Sequence, residues 1–267
     1  MVTNINVISK KKLNKPIMIV GLPGKGLVGK ICVDYLVKEL KPKATLYAKL
    51  ISDSFPPAVH AKNGILEVIY DEIYLYNGKN NDFLFLTGPV QPALANISNG
   101  FQHYEFAEKI ADFCKEKEVC EIYTIAGLHV GDKRLNTAPK VLAVATDSKT
   151  KELLIKRKIS SIYFNEDNTD TLISGAAGLL LGIANYNHNI SGCCFMGETT
   201  QKLIFGDHGS ARITVSVLCD LFKLKVNMTK INKEAKKIEE SFNLISEKIQ
   251  TLNNVKESPS VNPTYVR

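Results

Sequence analysis

The sequence predicts an α/β protein, a single three-layer domain around a mostly parallel or mixed sheet. Three observations carry this reading. Short apolar runs such as "IMIV" and "FLFL" alternate with longer stretches whose apolar residues recur every three or four positions. No composition break falls before about residue 226, and no internal repeat is present. At 267 residues the chain is long enough to bury one sizeable core.

The elements follow in order. "PIMIVGL" (Pro16–Leu22) reads as a short buried strand. The next helix carries Leu27, Val28, Ile31, Tyr35, Leu36 and Leu40 along one face, and Pro42 marks its end. "ATLYAKLI" is a second strand. "GILEVIYDEIYLYNG" reads as two alternating strands joined at Asp71-Glu72. The unbroken apolar run of "DFLFLTG" places it centrally in the sheet. Phe101 to Val119 holds a helix with Phe106, Ile110, Phe113 and Cys114 inward. "EIYTIAGL" is a buried strand, and "VLAVATD" and "ISSIYF" are strand candidates. "GAAGLLLGIANYN" is a helix, "ISGCCFMGE" a strand, and "ARITVSVLCDLFKL" (Ala211–Leu224) a helix. Domain boundaries are expected at 1–228 for the α/β body, 229–252 for a C-terminal helix and 253–267 for a flexible tail.

That last helix has its own pattern. Ile231, Ala235, Ile238, Phe242, Ile245, Ile249 and Leu252 alternate spacings of four and three, a heptad seam with Lys and Glu between. Such a narrow stripe either lies on its own domain or joins helices of two subunits. After Leu252 the polar, proline-containing segment "NNVKESPSVNPTYVR" is expected to be extended, with a reach of about 50 Å.

Composition narrows the function. Lys and Arg exceed Asp and Glu by seven, partly through Lys10–Lys12 and Lys156–Lys158. No dense basic stripe with interleaved aromatics accompanies them, so no nucleic-acid partner is expected. The N-terminus has no apolar stretch ahead of its charges, and Leu172–Ala184 is too short to span a bilayer. No membrane partner is expected. Six cysteines without a Cys-x-x-Cys pair suit a reduced cytoplasmic setting, with thiols as small apolar groups. Cys193 and Cys194 are expected on opposite faces of one strand.

The chemistry-bearing candidates begin with "GLPGKGLVGK", Gly21 to Lys30, at a strand-to-helix turn. Gly24, Gly26 and Gly29 match the dinucleotide spacing, but the acidic residue that should close the next strand arrives late, at Asp53. Gly24, Gly29 and Lys30 resemble a P-loop, yet Ile31 stands where Ser or Thr would hold magnesium. The loop therefore either binds an anion through its amides, with Lys25 and Lys30 nearby, or lets the helix pack closely on the sheet. His129 with Asp132, and Asp207 with His208, flank predicted strand and helix ends, with no third metal ligand at diagnostic spacing. Ser174 precedes a helix, where capping is the default role. No catalytic residue, metal or cofactor is assigned.

Four segments in order, "GLPGKGLVGK", "LTGPVQP" (Leu86–Pro92), "IAGL" (Ile125–Leu128) and "SGAAGLLLGIANYNHNISGCCFMGET" (Ser174–Thr199), resemble the archaeal branch of the proteasome assembly chaperone family. The resemblance covers about residues 15 to 250. It implies an α/β fold related to the nucleoside phosphorylase and peptidyl-tRNA hydrolase type, homo-oligomers, and no established catalytic centre. It also implies proteasome α-subunits as partners, bound as an assembly factor or an ATP-independent activator. The family's docking device is a C-terminal hydrophobic–Tyr–any tripeptide. Here the chain ends Thr264, Tyr265, Val266, Arg267, so the tyrosine stands one residue early. Lys25 departs from the apolar residue more usual in relatives. The alternative reading is a nucleotide- or anion-binding protein with ligase- or phosphorylase-like chemistry at Gly21–Lys30.

Overall fold

Five consecutive buried residues, Ile17–Gly21, form the strand on which the sheet is centred. The computed structural model describes residues 3–40, 42–92, 100–165, 172–203 and 205–237. Strands are β1 (Thr3–Val7), β2 (Ile17–Gly21), β3 (Thr45–Ser52), β4 (Val59–Lys62), β5 (Ile65–Val68), β6 (Asp71–Asn77), β7 (Asp82–Thr87), β8 (Glu121–His129), β9 (Val141–Ala145), β10 (Ile162–Tyr163) and β11 (Ser191–Thr199). Helices are α1 (Val28–Glu39), α2 (Gly100–Glu116), α3 (Lys133–Asn136), α4 (Ser148–Lys156), α5 (Ala176–His188) and α6 (His208–Phe222), and residues 229–237 are also helical.

Nine strands form one sheet in the order β1-β3-β6-β7-β2-β8-β11-β9-β10. The centre, β7-β2-β8-β11, is parallel, while β1, β3 and β6 on one side pair antiparallel. The sheet is thus mixed. Parallel neighbours need long crossovers, and helices supply them. The alternating side chains feed two cores. Met18, Leu84, Leu86 and Cys194 face α2 and α5, while Ile19, Phe83, Phe85 and Cys193 face α1, α4 and α6. Cys193 and Cys194 therefore do part to opposite faces.

Several elements differ from the expectation. Leu27 and Ile31 are only half-buried, and the inward face of α1 runs through Val28, Cys32, Val33, Tyr35 and Leu36. Leu27 is outside the helix, in the left-handed region with φ 49°. Asp71-Glu72 is not a junction between strands. Both residues lie within β6, and Asp71 is fully buried. The strand before it, β5, pairs instead with β4 in a separate two-stranded hairpin. Asn63 and Gly64 close that hairpin with φ 52° and 77°, the pattern of a two-residue type I′ turn. Register places Val59, Ala61, Leu66 and Val68 on one face, and the three large ones are 53%, 72% and 57% exposed. The long helices sit close to their expected spans, with Phe106, Ile110, Phe113 and Cys114 all buried in α2.

Gly29 in α1 packs its backbone on β8. A Cβ there would collide with the Ile125 carbonyl, whereas a Cβ at Gly182 in α5 would meet open space. Gly29→Ala is expected to lower stability by about 1–3 kcal/mol through overpacking. Gly182→Ala is expected to raise it by about 0.4–1 kcal/mol. Urea unfolding midpoints of the two variants test the contrast, and equal shifts would sink it.

Candidate functional site

In open α/β sheets, ligands bind beyond the carboxyl ends of the parallel strands. At that end, β2 runs into the glycine loop, β8 ends at His129, and β11 ends at Thr199. The loop residues Lys25–Leu27 form a 3-10 turn, with Gly26 at φ 60°. The glycines make close approaches. A Cβ on Gly21 would strike the Gly29 carbonyl, one on Gly26 the Thr199 hydroxyl, and one on Gly127 the Lys25 carbonyl. Gly24 has open space around it. The loop is thereby wedged between α1, β8 and β11.

A buried ion pair locks it in place. Arg134 donates two hydrogen bonds to Asp207, Nε to Oδ2 at 2.8 Å and an Nη to Oδ1 at 2.7 Å. Asp207 also accepts from Ser210 N at 2.8 Å, capping α6, and its own amide donates to the Gly26 carbonyl at 2.7 Å. One residue thus ties the glycine loop, α3 and α6 together. Lys30 does not face the loop. Its Nζ lies 2.7 Å from Asp34 Oδ2, and Asp34 Oδ1 accepts from the Thr87 hydroxyl at 2.6 Å.

Asp71 is fully buried beneath Gly88, whose missing Cβ makes room for the carboxyl. Burial pushes its pKa up to about 8; the Val90 amide and Lys30 oppose that shift without cancelling it. It is therefore a neutral acid at pH 7. Sequence reading missed it, because an Asp between two strand-like runs looks like a turn residue. Glu198, 8% exposed, accepts from Lys140 N at 3.0 Å and the Tyr163 hydroxyl at 3.1 Å, which anchors β10.

The paired candidates are not assembled for chemistry. Asp132 receives Lys202 at 2.8 Å while His129 is exposed on the preceding strand end. Asp207 is spent on Arg134, and His208 Nδ1 faces Glu234 Oε2 at 3.8 Å. Ser174 does not cap α5. The cap is Gly175 at φ 89°, with no side-chain hydrogen bond. Burial raises the thiol pKa of Cys32, Cys114, Cys193 and Cys194, which makes them poor nucleophiles. A cavity of about 190 Å³ opens between the glycine loop and α5, with Lys25, Gln91, His129 and Ser174 as its polar groups. Among the described residues no group of three His, Cys, Asp or Glu side chains gathers as a metal site, and no helix is long and apolar enough to cross a membrane. Ile231 and Ala235 are buried on their own domain, where the Tyr35 hydroxyl donates to the Asn227 carbonyl. Ile238, Phe242, Ile245, Ile249, Leu252, Tyr265, Val266 and Arg267 lie outside the described residues.

The fold and this site define an α/β protein whose glycine loop is held at the strand ends by backbone packing and a buried ion pair. The PAC2 family profile matches residues 18–245, and the chain belongs to the PAC2 family. It is 33% identical to an uncharacterised protein of Methanocaldococcus jannaschii over 246 residues, 90% of this chain and 88% of that one. Its structure is similar to Pyrococcus furiosus PbaB, described as an archaeal proteasome activator. That match has a TM-score of 0.82 and 30% identity, and covers 92% of this chain and 99% of PbaB. It also shares its fold with P. furiosus PbaA, described as an archaeal homolog of proteasome-assembly chaperone, at TM-score 0.69 and 23% identity, covering 96% and 97% of the two chains. The assembly-chaperone resemblance read from the four segments is thus upheld.

Two outcomes are expected. Asp207→Ala removes the carboxylate that neutralises the buried Arg134 and should cost about 3–5 kcal/mol. Adding Arg134→Met should recover part of that loss, a coupling of about 0.5–3 kcal/mol in a urea double-mutant cycle. Additive losses would mean that the pair does not act as a unit. For Asp71, between about pH 4 and pH 8 the unfolded chain has lost the proton that the native chain keeps. The group therefore makes stability fall as pH rises across that window, by up to about 1.4 kcal/mol per unit. Asp71→Asn stays neutral, so its melting temperature relative to the parent should climb from pH 5 to pH 8, by about 2–4 °C per kcal/mol. A difference that stays flat across the window would show that Asp71 ionises normally.

Proposed function

We propose that this protein is a cytoplasmic, non-enzymatic proteasome assembly chaperone or activator that binds the proteasome α-ring as a homo-oligomer. The observation that carries the reading is the match to PbaB along nearly the full length of both chains. Three features support it. Close backbone approaches at Gly21, Gly26, Gly29 and Gly127 leave a cavity of only about 190 Å³ at the strand ends. The β4–β5 hairpin presents an apolar face to solvent, and a two-stranded hairpin is marginal in water on its own, so a second subunit would stabilise it. Burial of Ile231 and Ala235 anchors the start of the C-terminal helix on the domain, from which the tail would be presented. Tyr265, Val266 and Arg267 then probe pockets of the α-ring.

Anion or nucleotide binding at the glycine loop draws less support. Lys30 is spent on Asp34, and Ile31 has no metal-binding atom. Only Lys25 remains exposed there, beside the cavity under α5.

The test is light scattering after gel filtration, with and without purified α-rings. The full chain is expected to run as an oligomer and to form a complex with α-rings. Deletion of residues 253–267, or Tyr265→Ala, should weaken that complex at least about tenfold. Binding that survives both changes removes the tail from the mechanism. A full chain that ignores α-rings overturns the reading.

A further inference from the structure

At the opposite end of the sheet from the glycine loop lies a groove of about 970 Å³. It opens between α4 and the C-terminal end of α6, over the starting residues of β2, β7 and β8. Five cationic side chains line it, Lys15, Lys79, Arg157, Lys223 and Lys225, and all are exposed. They come from well-separated segments: the approach to β2, the β6–β7 turn, the end of α4 and the end of α6. None of the five forms an ion pair among the described residues. The single carboxylate in the lining, Glu121, is engaged by the Tyr123 hydroxyl at 3.1 Å. Much of the chain's positive excess is therefore concentrated here. Lys223 holds its place in a left-handed conformation, φ 57°, where glycine is the usual helix terminator.

The floor is apolar. Phe222 stands edge-on to both Phe83 and Tyr123, with ring centroids 5.4 and 4.9 Å apart, and Leu153 on the wall is 51% exposed. Uncompensated like charges around an apolar floor repel one another until an anionic partner arrives, and they steer that partner in.

We propose that this groove is a docking site for an acidic peptide segment of a partner protein, its carboxylates on the lysine rim and a hydrophobic side chain against Phe222 and Leu153. Charge complementarity identifies the partner as anionic. The floor favours peptide over nucleic acid. Phe83 and Tyr123 are buried with Phe222 packed edge-on against them, so no ring pair offers a platform on which bases could stack. The groove would bind independently of the C-terminal tail.

The experiment is fluorescence anisotropy on the full chain with a labelled decapeptide of Asp and Glu around a central Leu-Phe pair. Saturable binding is expected, weakening as salt rises. Lys79→Glu with Lys225→Glu should weaken it at least about tenfold, and Lys79→Ala with Lys225→Ala by a smaller factor in the same direction. Lys109→Glu with Lys133→Glu makes the same change in net charge away from the groove and should leave affinity within about twofold. Thermal melts of all three variants confirm folding. Three results would each overturn the proposal: no saturable binding at low salt, equal loss in the distant variant, or tighter binding of an oligothymidylate of equal charge.

Discussion

Everything at the carboxyl end of this sheet depends on how closely the N-terminus of α1 approaches β8. The contact is backbone to backbone. Gly29 lies against the Ile125 carbonyl and Gly127 against the Lys25 carbonyl, with no side chain between them. That approach sets the height of α1 over the sheet, and so the packing of Val28, Cys32 and Leu36 against Ile19 and Phe85. The contacts are made to carbonyl oxygens, those of Gly29, Ile125 and Lys25, and to the Thr199 hydroxyl.

Asp207 and Asp71, two of the buried acids near this end, illustrate opposite solutions to one problem. A carboxylate out of water needs compensating charge or must stay protonated. Asp207 takes the first route, with a bidentate arginine and a helix amide. Asp71 takes the second, since Lys30 is committed mainly to Asp34. The first joins three separate elements into one rigid corner. The second sits where the β4–β5 hairpin joins the sheet, as the first residue of β6.

The molecule's unusual surfaces are distributed along the sheet axis. The apolar hairpin extends from the carboxyl end, because β3 leads into it and β6 follows it. The cationic groove lies at the amino end of the central strands. Such separation leaves either surface open when the other is covered. These two surfaces stand on a fold matched by the PAC2 profile and by PbaB.

The long elements were legible because their signals are local. Ile17–Val20 and Phe83–Leu86 are apolar without interruption, and α2 and α6 repeat every three to four residues. The elements missed carried weaker or misread signals. Asn63-Gly64 announces a hairpin, but β4 buries nothing and went unread, and β5, read as a strand, was joined to β6 instead of to β4. In β1 polar residues alternate with apolar ones, and Asp147 caps α4 by accepting from Thr150 N, a cue that lies in the sequence. By itself, then, the sequence determined the α/β class, the buried strands, the family resemblance and the excess of positive charge, because each rests on residue type and short-range spacing. Only the tertiary structure decided that Gly21, Gly26 and Gly29 pack closely against their neighbours, that Asp71 is buried, that Asp207 pairs with Arg134, and that five scattered cations share one groove. Each of those depends on residues far apart in the chain meeting in space, and no local pattern records which of them will.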